Sequence, residues 1–187
     1  MPDFAPPMRL ARPDDASALG ALHVAAWRAA YRGLFPDEVL DRQSVERRAE
    51  QHRAWLSAPP TPDHRTWTAW SPPGPAAARL LGFSISGPAR DPDLAADAGV
   101  GEVYALYLQP DCVGRGLGRA LFGRSLATLR DQGRREVVLW VADGNLRAQR
   151  FYEAAGLRRD LTALPKPVVV GGSDLGVAEV RYRGPAS

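Results

Sequence analysis

The chain has 187 residues, 45% hydrophobic and 24% charged, which suits one sizeable core and predicts a single domain over residues 1–187. Its formal net charge is +3 with Arg and Asp/Glu interspersed, so no basic stripe tracks a phosphate backbone and nucleic acid is not an expected partner. No apolar run reaches the roughly eighteen residues of a membrane span, and Met1–Leu10 lacks the apolar middle of a secretory signal, which predicts a soluble cytoplasmic protein with no membrane partner.

Cys112 is the only cysteine, which excludes an internal disulfide and a thiolate metal cluster and suits a reducing compartment. Lys166 is the only lysine, so nearly all basic charge is arginine, a bias read here as compositional.

Helical periodicity starts near Asp14, where Asp14 or Asp15 can cap a helix whose Leu19, Leu22, Ala26 and Ala30 share a face, with Trp27 and Tyr31 at i, i+4 beside them. Leu34 to Leu40 turns around Pro36, and a more charged helix runs from Ser44 to Leu56 until SAPPTPD (57–63) breaks it. Thr66–Trp70 and Leu80–Ser86 read as strands joined by the surface loop SPPGPAAA (71–78). A second loop, GPARDPDLAADAG, leads to Glu102–Leu108 (EVYALYL), short and rich in β-formers as a central strand should be.

Residues 116–132 place Leu121, Phe122, Ser125, Leu126 and Leu129 on one helical face, and Gly133 closes that helix. Glu136–Val141 is a strand, Asn145–Ala155 a helix ended by Gly156, and Arg158–Leu164 and Val177–Tyr182 are closing strands. No internal repeat or interdomain linker interrupts this order.

Between the strand ending at Leu108 and the helix starting near Gly116 lie Gly114, Gly116 and Gly118 within PDCVGRGLGR. Such a loop aims free N–H groups and the positive end of a helix at one point, a site for phosphate or pyrophosphate; a turn that merely tightens the connection is the other reading. The dinucleotide pattern GxGxxG fails, because its sixth position is Arg119 counted from Gly114 and Leu121 counted from Gly116, and no Lys completes a P-loop. His23, His52 and His64 lack metal-ligand spacing, no Ser-His-Asp arrangement can be argued, and no metal is expected.

Residues 102–119, EVYALYLQPDCVGRGLGR, resemble the acetyl-CoA-binding motif of the GCN5-related N-acetyltransferase (GNAT) family, whose loop reads Gln/Arg-x-x-Gly-x-Gly/Ala. Gly116 and Gly118 match the family glycines, while Val113 stands where Gln or Arg is usual. Residues 145–157, NLRAQRFYEAAGL, are similar to the family segment in which Asn starts a helix and Tyr follows, with Asn145, Ala148 and Tyr152 on one face at i, i+3 and i+7. HVAAWRAAYRGLFPDEVL resembles the first helix of one bacterial branch, where it forms part of the acceptor wall.

The resemblance implies an α/β (α+β) GNAT fold: a mixed, mostly antiparallel sheet with helices on both faces and a parallel pair, Val103–Leu108 and Val137–Val141, splayed around acetyl-CoA. It implies cofactor contacts along Leu106, Tyr107 and Leu108, through Val113, Gly114, Arg115, Gly116, Leu117, Gly118 and Arg119, and from Asn145, Ala148 and Tyr152. The implied activity is direct transfer of the acetyl group to a primary amine of a small molecule or peptide. By the same resemblance the Leu106 N–H would polarise the thioester carbonyl, Tyr152 would act as general acid and Glu102 as general base.

An alkylamine with a pKa of ~10.4 must first lose a proton, and a carboxyl with a reference pKa of ~4.3 serves only if burial raises it or water relays. A Glu102 facing solvent or an arginine is the other reading of that position. Trp27 and Tyr31 line the acceptor pocket or belong to the core; Asp91, Asp93 and Asp97 attract a cationic amine or are merely solvated; Cys112 is a bystander. The family also implies a homodimer. Two other functions compete: a non-catalytic acyl-CoA sensor that keeps the cradle without working acid and base, and a nucleotide-phosphate-binding protein, disfavoured by the failed fingerprints.

Overall fold

Residues 6–58, 63–72, 78–95 and 97–186 are described by the computed structural model. β1 (Met8–Leu10), too short to register in the sequence pattern, is followed by a 3-10 turn at Pro13–Asp15 and by α1 (Ala16–Tyr31). The Asp15 carboxylate is not a side-chain cap of α1: it accepts the Arg12 N–H at 2.7 Å and the Arg9 guanidinium at 2.7 and 2.8 Å, tying β1 to the helix entrance. The turn around Pro36 contains α2 (Asp37–Asp41). Next is α3 (Val45–Ser57), capped by Ser44, which accepts the Arg47 N–H at 3.1 Å.

β2 (Arg65–Trp70), β3 (Leu80–Pro88) and β4 (Val100–Leu108) follow, then α4 (Leu117–Asp131), β5 (Glu136–Ala142) and α5 (Leu146–Ala154). Of the two proline-rich loops, 59–62 and 73–77 lie outside the described residues, as does the N-terminal part of Met1–Leu10 up to residue 5. The expected strand Arg158–Leu164 is only β6 (Arg158–Arg159), because Asp160 accepts the Thr162 N–H and hydroxyl at 3.0 and 2.6 Å and turns the chain. β7 (Lys166–Val170), missed by the sequence pattern, pairs with β8 (Ser173–Pro185), which is longer than expected at both ends.

The eight strands form one sheet in the order β1-β2-β3-β4-β5-β8-β6, with β7 also on β8. Every named strand pair is antiparallel except β4 with β5. No helix among the described residues is long and apolar enough to cross a membrane.

Helices cover both faces. Phe122, Leu126 and Leu129 of α4 pack with Val103, Val137, Leu139 and Leu157, and Phe151 and Tyr152 of α5 join them. The one polar residue on the buried face of α4, Ser125, donates to Ser84 Oγ at 2.9 Å. On the other face Leu19, Leu22 and Ala26 of α1 meet Phe83, Ala105 and Tyr107.

Val103 and Leu106 thus share the α4 face, which a straight strand forbids for residues three apart. A β-bulge reconciles them: Ala105 pairs with Ile85 and Val103 with Ser86, leaving Tyr104 as the extra residue.

Helices α1 and α3 cross closely at Gly20, where a Cβ would sit 2.6 Å from Ala49 N and 2.8 Å from Val45 O. Backbone cannot yield as a flexible side chain can, so overpacking outweighs the ~1 kcal/mol that alanine gains in a helix. Gly20→Ala should therefore destabilise the fold by about 1–2 kcal/mol net, read by calorimetry as a fall of several degrees in Tm.

The same helix pair buries His23 and His52, with Nδ1 of the first 3.1 Å from Nε2 of the second. Burial first, then the nearby Arg48 and the partner ring, lower His23 to about 3, and burial and Arg48 lower His52 to about 4. Because the unfolded chain takes up protons near pH 6.5 and the folded one resists them, stability falls as pH drops below 6.5 toward those values. Thermal melts from pH 7 to 5 should show a loss approaching ~1 kcal/mol per pH unit for each ring, and His23→Asn with His52→Asn should flatten it.

Candidate active site

The parallel pairing of β4 and β5 covers only Val100↔Glu136, Gly101↔Val137 and Glu102↔Val138. Beyond Glu102 the strands diverge. The Gln109 N–H donates to Leu81 O at 2.9 Å, so pairs alternate back along the ladder and Leu106, opposite Ser84, and Leu108, opposite Gly82, are non-hydrogen-bonded positions relative to β3. Their N–H groups point into the opening where β5 has drawn away.

A cavity of about 460 Å³ fills this opening, bounded by β4 from Val103 to Leu108, the glycine loop, the start of α5, and Ala26, Ala29, Ala30 and Tyr31 of α1. It therefore passes from one face of the sheet to the other.

At its cradle end, Gly114 and Gly116 have φ of +80° and +82°, the left-handed region that disfavours side chains. Gly118 needs no such freedom, for it lies in the first turn of α4 with an ideal Cβ no closer than 3.4 Å to any atom, Leu108 Cδ1. Among the described residues, the N–H groups of Gly116, Leu117, Gly118 and Arg119 meet no acceptor, and the first bond of α4 is Ala120 N–H to Gly116 O at 3.1 Å.

A Cβ on Gly114 or Gly116 would meet nothing within 4 Å, so the space before these donors is open. Arg119 and Arg147 join them around the cavity, while Arg115 is exposed at the loop tip. Unpaired amides, a helix N-terminus and two guanidinium groups suit a pyrophosphate. Val113 lines the same wall with an apolar side chain, leaving recognition there to the backbone.

Asn145 caps α5 by accepting the Ala148 N–H at 3.2 Å, which sets the helix so that Ala148, Phe151 and Tyr152 face the cavity. Tyr152 packs against Phe122 and Phe151 with centroids at 5.6 and 5.1 Å, and its hydroxyl has no hydrogen-bond partner among the described residues. Burial first, then Tyr31, pushes its pKa up, so it stays a donor at neutral pH. Tyr107 is on the opposite face, stacked on His23 with centroids at 4.7 Å, its hydroxyl neighbouring that of Tyr31. Tyr31 lines the cavity, but Trp27 does not: it is 7% exposed and packs behind Tyr31 with Phe35 and Leu40.

Two expectations change at Glu102. The bulge at Tyr104 turns Glu102 away from the face that carries Leu106, and its carboxylate is committed to Arg90. It accepts from Arg90 N at 2.9 Å, Nε at 3.2 Å and Nη2 at 2.6 Å and is 2% exposed. It is one wall of a second cavity of about 320 Å³, lined also by Lys166 and Glu179, which has Val103, Tyr104 and Trp140 in common with the lining of the first. Glu179 has no strong sequence signal; the register of β8 brings it opposite Ala142 and beside Lys166.

The acidic loop is neutralised within the fold rather than offered to a ligand. Arg181, 2% exposed, pairs with Asp91, Asp93 and Asp160 at 3.1, 2.8 and 2.9 Å. Asp91 also accepts from Lys166 and from Trp140 Nε1, the latter at 2.9 Å. Burial alone would raise the Asp91 carboxyl, but these bonds hold it below the ordinary range. Asp97 accepts the Gly99 N–H at 2.8 Å. Cys112 is half-buried beside Asp111, and both burial and that carboxylate push its thiol up, away from reactivity. Among the described residues no cluster of His, Cys, Asp or Glu is placed to hold a metal ion.

A mixed sheet pierced between its two parallel strands, with a glycine loop of unpaired amides at one mouth, is the architecture of a class of acyl-group transferases. A model of the acetyltransferase (GNAT) family matches residues 24–157, and the chain belongs to that family. A mycothiol acetyltransferase of Geodermatophilus obscurus is 50% identical over 60 residues, 32% of this chain and 20% of the relative. One from Rhodococcus opacus is 40% identical over 81 residues, 43% of this chain and 26% of the relative. The match thus spans a fifth to a quarter of these curated relatives.

Among solved structures, the PaiA N-acetyltransferase of Thermoplasma acidophilum, in complex with coenzyme A, superposes with a TM-score of 0.67 at 16% identity, covering 96% of this chain and 98% of that one. YncA of Salmonella typhimurium, a putative acetyltransferase with acetyl-CoA, gives 0.68 at 18% identity, covering 97% and 94%. At these identities the likeness is one of fold.

Removing the Arg181 guanidinium would take the charge partner from the buried Asp160 and leave the buried Asp91 with only Lys166 and Trp140, the more costly way to break a buried pair. Arg181→Met should destabilise the protein by about 3–5 kcal/mol in urea unfolding, while Arg159→Met, whose partner Asp143 is largely exposed, should cost under about 1 kcal/mol.

Proposed function

We propose that this protein is an acetyl-CoA-dependent N-acetyltransferase that acetylates a primary amine by direct attack in a ternary complex. One observation carries the reading: the opening between β4 and β5 sets the unpaired Leu106 and Leu108 N–H groups on the same cavity as the free Tyr152 hydroxyl and the amide cradle of α4. Family membership and the mycothiol acetyltransferase relatives support acetyl transfer.

Bound acetyl-CoA supplies a thioester carbonyl whose carbon forms the new bond to nitrogen as its bond to sulfur breaks. The amides of Gly116 to Arg119, with Arg119 and Arg147, hold the pyrophosphate. Leu108 N–H holds the pantetheine arm, and Tyr107 keeps the opposite wall through its packing on His23 and Phe83. Leu106 N–H donates to the carbonyl oxygen as negative charge gathers there, and a donor fixed in advance at that point has its greatest effect where water is excluded. Tyr152 gives its phenolic proton to the departing sulfur. The acceptor enters from the α1 side past Tyr31. A non-catalytic sensor would keep the cradle with no use for a buried, unpartnered phenol, so the Tyr152 environment favours the enzyme.

Tyr152→Phe removes the acid and leaves the packing. Mass spectrometry of a mixed amine panel incubated with acetyl-CoA should show an acetylated product whose rate falls about 10²–10⁴-fold in this variant, with the calorimetric Kd for CoA unchanged. Retained acetyl-CoA with no product from any amine in the wild-type protein would favour the sensor.

A further inference from the structure

The amine must be deprotonated on the α1 side of the sheet, and Glu102 is held there by Arg90. A second carboxylate stands in the same chamber. Along β8, Val177 packs toward α1 whereas Val180 and Tyr182 pack toward α4, so Glu179 faces α1 with Arg181, opposite Ala142 and Trp140 respectively. It lines the smaller cavity with Trp140 and Tyr104, which also line the larger one. The other acidic groups of this chamber are saturated, Asp91 by Lys166, Arg181 and Trp140 and Glu102 by Arg90. Glu179 is half-buried and its carboxylate has no hydrogen-bond or ion-pair partner among the described residues.

We propose that Glu179 is the general base: its carboxylate, on the α1 side of the sheet in the smaller cavity that shares Tyr104 and Trp140 with the larger one, takes the proton from the attacking amine. The assignment rests on the acetyltransferase reading above.

Glu179 takes one proton from the ammonium group, freeing the nitrogen lone pair that forms the N–C bond as the C–S bond breaks. Tyr152 protonates the departing sulfur and recovers a proton, by way of solvent, from the newly acylated nitrogen. Glu179 then releases its proton to water, so the chain returns to its starting state with one proton released overall.

The charged and titratable groups facing Glu179 are Lys166 of β7, Arg90 and Asp91 of the preceding loop, Glu102 and Tyr104 of β4 and Tyr31 of α1. Burial raises the Glu179 carboxyl above its ordinary value, Lys166 and Arg90 oppose that rise, and Glu102 adds to it. A carboxyl so placed is a better proton acceptor than a solvated one.

The test uses the full chain, acetyl-CoA and a panel of spermidine, glucosamine, lysine and an alanyl dipeptide. Glu179→Gln, nearly isosteric, should lower kcat at neutral pH about 10²–10³-fold, abolish the acid limb of the kcat/KM profile, and leave the calorimetric Kd for acetyl-CoA within twofold. Sodium formate should restore part of the activity of Glu179→Gly. In the unliganded protein, carbon-13 NMR of labelled glutamate should show a Glu179 carboxyl titrating above the ordinary ~4.3, a readout independent of turnover.

Turnover of Glu179→Gln within fivefold of wild type, or an ordinary Glu179 titration, overturns the assignment while the enzyme reading stands. A wild-type protein that acetylates none of the panel amines overturns both.

Discussion

The early divergence of β4 from β5 is the constraint on which the rest of this molecule depends. Three residue pairs hold the parallel ladder, and then the backbone of β4 loses its neighbour on that side. Unpaired buried N–H groups ordinarily cost about 1–3 kcal/mol each, so a sheet does not open without compensation. Here it comes from both faces: α4 and α5 brace the strands with an aromatic cluster around Phe122, and α1 braces them through Tyr107, His23 and Tyr31. The bulge at Tyr104 helps in a second way. Its hydroxyl donates to Pro88 O at 2.6 Å and Arg90 lies 4.0 Å over its ring, which fixes the extra residue and twists β4 away from β5.

The charged side of the sheet is organised around guanidinium groups. Arg181 serves three carboxylates at once, using the planar fork of donors that a lysine ammonium does not have. One of those carboxylates, Asp91, in turn holds the indole of Trp140, which borders both cavities along with Val103 and Tyr104. The buried ion network therefore acts on the position of β5 at the edge of the opening. A hydrophobic cluster of equal volume could stabilise the fold as well but would not orient that indole.

Much of this was legible in the chain because it is local. The helices α1 and α4 announce themselves by apolar spacing, α3 and α5 by the Ser44 and Asn145 that open them and the breakers that close them, and the cradle by glycines whose left-handed backbone is dictated within a few residues. What escaped is set by distant register. A one-residue bulge moved Glu102 off the face of Leu106, and nothing in EVYALYL marks it. Trp27 and Tyr31 share a helix face by spacing alone; only the neighbouring Phe35 and Leu40 decide that one is packed away and the other borders the cavity. β7 carries a proline and a lysine and resembles a loop until β8 lies beside it, and that pairing is what brings Lys166 next to Glu179.

A sheet usually divides a domain into two chambers that do not communicate, and this one has a window. Its two sills are built by different parts of the chain: the continuous stretch from β4 to α5 forms one, and α1, backed by the β7–β8 hairpin far away in sequence, forms the other. Substitution in α1 or the hairpin can thus reshape one doorway without touching the other, so the fold can change its guests on one side while keeping the same tenant on the other.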